Sequence, residues 1–170
     1  AKKLLALPNT KKKLTELGYM REDENLDTLS WYRVCVLNLF QPSDYLMSYL
    51  KPYLDRLKDR YVIGMHARMG DGAGKWHEKV AFIKMGSVRY RVPTIQKMLN
   101  RHPNSLFFLS TDSDKIENFM KKRLGESLVT VDSLPRMHVG RYNVEELGVI
   151  RSFMDIYLLG QCDYLYVTPG

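Results

Sequence analysis

Strand-length apolar runs recur along this chain, at residues 61–67, 106–110, 128–131 and 163–168. Val and Ile in unbroken runs suit a pleated surface covered on both sides, unlike the apolar–polar alternation of a half-exposed strand. Helical signals fill the intervals. Leu46, Leu50, Tyr53 and Leu57 form one stripe over 45–57, with Pro52 predicting a kink or split. A helix is expected over 94–101, another opens at a capping-box-like Asp114-Lys115-Ile116-Glu117 and stops at Gly125, and a last one covers 144–159. Shorter helices are expected over 9–19 and 27–40, the Trp31–Val36 stretch of the latter also suiting a strand, and an irregular glycine-rich loop over 69–87. Strands alternating with helices predict an α/β fold with a doubly wound, mostly parallel, Rossmann-like sheet.

At 170 residues and 45% apolar content the chain is the size of a single domain with a real core. No apolar run approaches the length that spans a bilayer. Net charge is +7, with basic clusters at Lys2-Lys3, Lys11–Lys13, Lys121–Arg123 and Arg89-Tyr90-Arg91. Such a balance suits an anionic partner. The lysine clusters are adequately explained as solvated faces, whereas Arg89 and Arg91 stay open. Cys35 and Cys162 lie in apolar surroundings without metal-ligand spacing, which points away from structural zinc and leaves buried thiols or one disulfide between them. The chain closes on a strand and an incipient turn, Val167-Thr168-Pro169-Gly170, so a fragment of a longer protein is expected.

The first run ends in His66-x-Arg68-x-x-Asp71. In an open parallel sheet, ligands bind at the carboxyl edge. That edge would receive His66, Arg68 and Asp71 from one strand and Ser110, Thr111 and Asp112 from the next, with Thr168–Gly170 after the last. A guanidinium, hydroxyls and carboxylates together suit a nucleotide, with Arg68 gripping phosphate through its planar fork. Asp112 serves equally as a helix cap, His66 as a hydrogen-bonded structural histidine, and Asp71 as the partner of Arg68. On the last helix Gly148, Ser152, Asp155 and Leu159 share a narrow stripe. Small residues there commonly serve close packing, but a carboxylate beside a core-facing stripe needs a partner. Gly70–Lys75 is not a phosphate loop, because Met69 and Trp76 occupy positions that the pattern gives to Gly and Ser/Thr. Nucleotide-hydrolase, dinucleotide and serine-nucleophile fingerprints are absent.

Three blocks jointly resemble the donor-binding half of the GDP-fucose-dependent fucosyltransferases of α1,6-, protein O- and α1,2-type. They are Ile63–Asp71, with its His-x-Arg-x-x-Asp; Phe107–Asp112, an apolar strand ending in Ser-Thr-Asp; and Gly148–Leu165, similar to the family's Asp-Ile-x-x-Leu helix leading to a strand. Leu39–Ser43 is similar to the Phe-x-Pro entry before the first block. The resemblance spans residues 39–170 in family order.

It implies one half of a two-domain GT-B architecture, with residues 1–170 as a nucleotide-sugar-binding domain and the acceptor-binding domain missing. The implied reaction is inverting fucosyl transfer from GDP-fucose without a metal or other cofactor. Arg68 and His66 would be catalytic. Substrate binding would fall to His66, Arg68, Asp71, Ser110, Thr111, Asp112, Ser152 and Asp155, with Asp155 reading guanine or ribose. The acceptor would be a glycan or protein. The compartment would be the secretory lumen for a eukaryotic protein and the cytoplasm for a bacterial one. Met69 stands where many members carry a second arginine, and Gly160 where they carry serine. With the acceptor-binding half missing and the phosphate-contacting hydroxyls expected beyond Gly170, the isolated chain is expected to be inactive. The competing expectations are a non-catalytic guanine-nucleotide or glycan-binding module, and a basic RNA-binding α/β domain. The latter lacks any recognised RNA motif, so no nucleic-acid partner is expected.

Overall fold

The computed structural model describes residues 12, 15, 16, 41–69, 84–136 and 146–166. The chain divides into two compact units, Ala1–Ser43 and Asp44–Gly170. In the first, Lys12, Thr15 and Glu16 are helical, within the short helix expected there. The helix expected over 27–40 lies outside the described residues.

The second unit runs α1 (Asp44–Leu57), β1 (Val62–Ala67), α2 (Met85–Arg101), β2 (Leu106–Thr111), α3 (Asp114–Leu124), β3 (Leu128–Val129), α4 (Glu146–Gly160) and β4 (Tyr164–Tyr166). All strand pairs are parallel, in the order β3-β2-β1-β4. The period of two in β1 and β2 sorts their side chains between two cores. Ile63, Met65, Ala67, Phe107 and Leu109 pack with Val88, Val92 and Ile95 of α2 and Ile116 and Met120 of α3. Val62, Leu106 and Phe108 pack with Leu50 and Leu57 of α1 and Ile150, Met154 and Leu158 of α4. Helices thus cover both faces, and the fold is the Rossmann-like, doubly wound α/β arrangement expected from the alternating runs.

Two helices run through a proline, and the second departs from expectation. α1 continues through Pro52 instead of splitting, and α2 starts at Met85 and passes through Pro93. Proline removes one ladder donor and crowds the preceding turn. Burying Val88, Val92 and Ile95, at 0%, 6% and 0% exposure, outweighs that local cost. The part of the expected loop over 85–87 is therefore helix. At the amino end of the sheet, Asp163 clamps β1 to the α4–β4 turn. Its Oδ2 accepts from Val62 N–H at 2.8 Å, and its own N–H donates to Val62 O at 2.9 Å. Just above, a Cβ on Gly64 would lie 2.6 Å from Cys162 Sγ, so any side chain here requires Cys162 and Leu165 to shift.

From β1 the chain steps outward to β2 and β3 with α2 and α3 on one face. It then returns over the other face through α4 to place β4 on the far side of β1. The winding direction reverses between β1 and β4, which makes the carboxyl end of β1 the topological switch point.

Candidate functional site

His66 is the exposed residue in an otherwise buried β1. It lies directly opposite Ser110 in the ladder, on the α1/α4 face. Its Nδ1 is 3.0 Å from Ser110 Oγ, and Nε2 has no partner among the described residues. Desolvation of the ring lowers its pKa, opposed by the Asp112 charge and reinforced by Arg68. The imidazole is therefore neutral at pH 7 and able to donate or accept.

α4 lays Asp155 against the same spot. Its carboxyl faces the Ser110 hydroxyl, and burial raises its pKa from 3.8 to about 6, against the pull of Arg151 and Ser110. Asp155 Oδ1 is buried with no hydrogen-bond partner among the described residues. Such an acceptor is costly to leave unmatched, and an N–H or O–H of a ligand would satisfy it. Ser110, 3% exposed, thus sits between an imidazole and a carboxyl.

Arg68 follows β1 at the rim. Its Nε is 4.0 Å from Asp112 Oδ2, and 42% of its side chain is exposed. The N-cap position of α3 is Ser113, and Asp112 precedes it. Asp112 Oδ1 accepts from Met69 N–H at 2.7 Å, fixing the chain that leaves β1. Thr111 completes this tie from the opposite face, donating to Ala67 O at 2.6 Å and accepting from Ser113 N–H at 3.2 Å. Thr111 and Asp112 hold the rim that presents Arg68. Ser152 spends its hydroxyl on Gly148 O at 3.0 Å, within its own helix. The structure therefore brings together His66, Ser110 and Asp155, with Arg68 and Asp112 beside them on the strand ends. Asp71 and Thr168–Gly170 lie outside the described residues.

A charged cluster adjoins this rim that the sequence reading missed. Glu117, 7% exposed, pairs with Arg136 and with Lys121 at 2.8 Å, and Arg151 lies 3.9 Å away. Arg136 also holds Asp114 and donates to the Thr111 carbonyl at 3.1 Å. The carboxylates of the expected capping box are thus spent on Arg136, and Ser113 makes no side-chain cap. Arg151 is 5% exposed and donates to Leu134 O at 2.7 Å, while its Nε is unpartnered among the described residues. One signal was available: Arg151 stands in line with Met154 and Leu158 on a core stripe, where a guanidinium requires a buried partner, whereas Leu147, expected on that stripe, is 42% exposed.

No protein-family model matches the chain. No curated protein matches it either. Function is thus argued from the site itself.

Chemically, the rim offers a guanidinium for an anion and a neutral imidazole beside it. Beneath them lies a carboxyl with an open acceptor. Among the described residues no group of His, Cys, Asp and Glu is placed to hold a metal ion. No helix among them is long and apolar enough to cross a membrane.

Proposed function

We propose that this chain is the GDP-fucose-binding domain of an inverting, metal-independent fucosyltransferase. The observation that carries the reading is the convergence of His66, Ser110 and Asp155 at the switch point, beside Arg68 on the rim. Arg68 binds the β-phosphate and stabilises the negative charge of the departing GDP. Preorganised positive charge of this kind is the main requirement of such a reaction, because the sugar carbon gains oxocarbenium character as the diphosphate leaves. Neutral His66 contacts the sugar or phosphate. Asp155 accepts N–H or O–H donors from guanine or ribose at Oδ1.

The test is calorimetric titration of the 170-residue protein with GDP-fucose, GDP and UDP. GDP and GDP-fucose are expected to bind, with UDP weaker. Arg68→Ala is expected to lose roughly tenfold or more in GDP affinity, the scale of one charge-assisted phosphate contact. Equal affinity of wild type and Arg68→Ala contradicts the reading.

A specific observation favours a second reading, a nucleotide-binding module without catalysis. Met69 stands where a second arginine is expected, and it turns into the fold. Its N–H is taken by Asp112, and its sulfur accepts from Ser113 Oγ at 3.4 Å. Binding without turnover, in a protein that also carries an acceptor domain, selects this module.

A further inference from the structure

Arg89-Tyr90-Arg91, unexplained by the sequence, acquires a setting at the far edge of the sheet. Here the first half of α2 meets β4. Tyr90, Arg91, Tyr164, Leu165 and Tyr166 line an open hollow of about 450 Å³. Tyr90 is 85% exposed, Tyr164 44% and Leu165 47%. Three tyrosines around one hollow, one of them largely in water and a second 44% exposed, is an expensive use of aromatic surface unless something covers it. The rest of the hollow is fixed. Arg91 donates to Ser87 O at 3.0 Å and lies over the Tyr166 ring at 5.8 Å, and Tyr164 and Tyr166 stand edge to face at 6.3 Å.

We propose that this hollow is a carbohydrate site, which holds a pyranose ring of an oligosaccharide against Tyr90 and Tyr164. The chemistry of the lining selects the ligand. Tyrosine faces match the apolar C–H face of a sugar, while phenol hydroxyls and the guanidinium match its ring hydroxyls or a uronic carboxylate. A hydrocarbon partner would leave Arg91 and the hydroxyls unmatched. Single-stranded nucleic acid needs stacking rings along a groove whose cations follow the backbone. Among the described residues the lining has one cation, because Arg89 turns away to lie over Phe119 at 5.8 Å. The site lies on the α2 face of the sheet, away from His66 and Asp155, and stands independently of the nucleotide reading.

The experiment is saturation-transfer NMR on the 170-residue protein with N,N′,N″-triacetylchitotriose as a neutral probe and a hyaluronan tetrasaccharide as an acidic one. A decauridylate and GDP are titrated in parallel. Transfer to the ring protons of at least one sugar is expected. Tyr90→Ala is expected to reduce it roughly fivefold or more, the effect of losing one stacking ring. Tyr90 projects into solvent, so this variant keeps the melting temperature and the GDP affinity of the wild type. Arg91→Lys separates the probes by weakening the acidic sugar more than the neutral one. No transfer to either sugar, or transfer indifferent to Tyr90→Ala, overturns the proposal. So does decauridylate binding that depends on Tyr90 in place of sugar binding. GDP affinity tested in the same samples keeps failure of this site distinct from failure of the nucleotide site.

Discussion

At the scale of single residues, Asp155 carries the clearest physical signature. Its folded pKa of about 6 lies above the ordinary 3.8, so the folded chain holds that proton more tightly than the unfolded chain. The sign follows directly: the contribution favours folding most below pH 3.8, and it is lost as pH rises through 6. At pH 7 the buried charge costs up to ~3 kcal/mol, from a shift of about two units at ~1.4 kcal/mol each. Asp155→Asn is therefore expected to be more stable than wild type at pH 7.5 in urea denaturation. That advantage shrinks at pH 4.5, and a constant difference across this range contradicts the assignment. His66 works in the opposite direction. Its lowered pKa means stability is lost as pH falls below the ordinary histidine range, so the comparison must be made between variant and wild type at each pH. Gly64 offers a second test. A Cβ there meets Cys162 Sγ at 2.6 Å and Leu165 Cδ2 at 2.9 Å. Gly64→Ala is expected to cost about 1–3 kcal/mol, as overpacking does. Gly64→Ala combined with Cys162→Ala should recover part of that loss. Strict additivity of the two would show that the close approach is not what fixes the glycine.

At the scale of elements, the alternation of apolar runs made β1, β2 and β3 legible, and with them the doubly wound arrangement. The exception was α2. Pro93 and the glycines before it argue locally against a helix, yet Val88, Val92 and Ile95 fall on one face and bury together. Tertiary burial overrode local punctuation, and nothing in a local window reports that. Pro93→Ala restores the N–H facing the Arg89 carbonyl, and it is expected to stabilise the protein by about 1–2 kcal/mol after the greater freedom of the unfolded chain is subtracted. A lower denaturation midpoint would place a different constraint on that turn. The site was legible to the same degree. His66, Ser110 and Arg68 follow from strand ends and a parallel register, and Asp155 follows from an odd carboxylate on a core stripe. Glu117, Arg136 and Arg151 did not, because their meeting depends on how residues 130–136 cross the edge of the sheet. Breaking this buried network is costly, since it strands charge without compensation. Glu117→Gln is expected to lose about 3–5 kcal/mol, read as a fall in the urea midpoint. A loss under 1 kcal/mol would mean that the cluster is solvated.

At the scale of the whole molecule, the fold reverses its winding at one place, and the chemistry-bearing side chains gather there. β1 supplies His66 and Arg68, β2 supplies Ser110 and Asp112, and α4 crosses back to supply Asp155. No single element contains the site. It exists because a parallel sheet aligns strand ends, and because the crossover through α4 brings a carboxyl down on the same face. The hollow at β4 uses different elements and a different chemistry, so the two can be lost separately. The central claim is that the switch point receives a diphosphate through Arg68. It is tested most directly by the calorimetric affinity of the 170-residue protein for GDP, measured for wild type and Arg68→Ala at two salt concentrations. The account predicts binding that weakens with salt in the wild type, and a roughly tenfold or greater loss in the variant with a flatter salt response. Identical affinities and identical salt responses in the two proteins would contradict it.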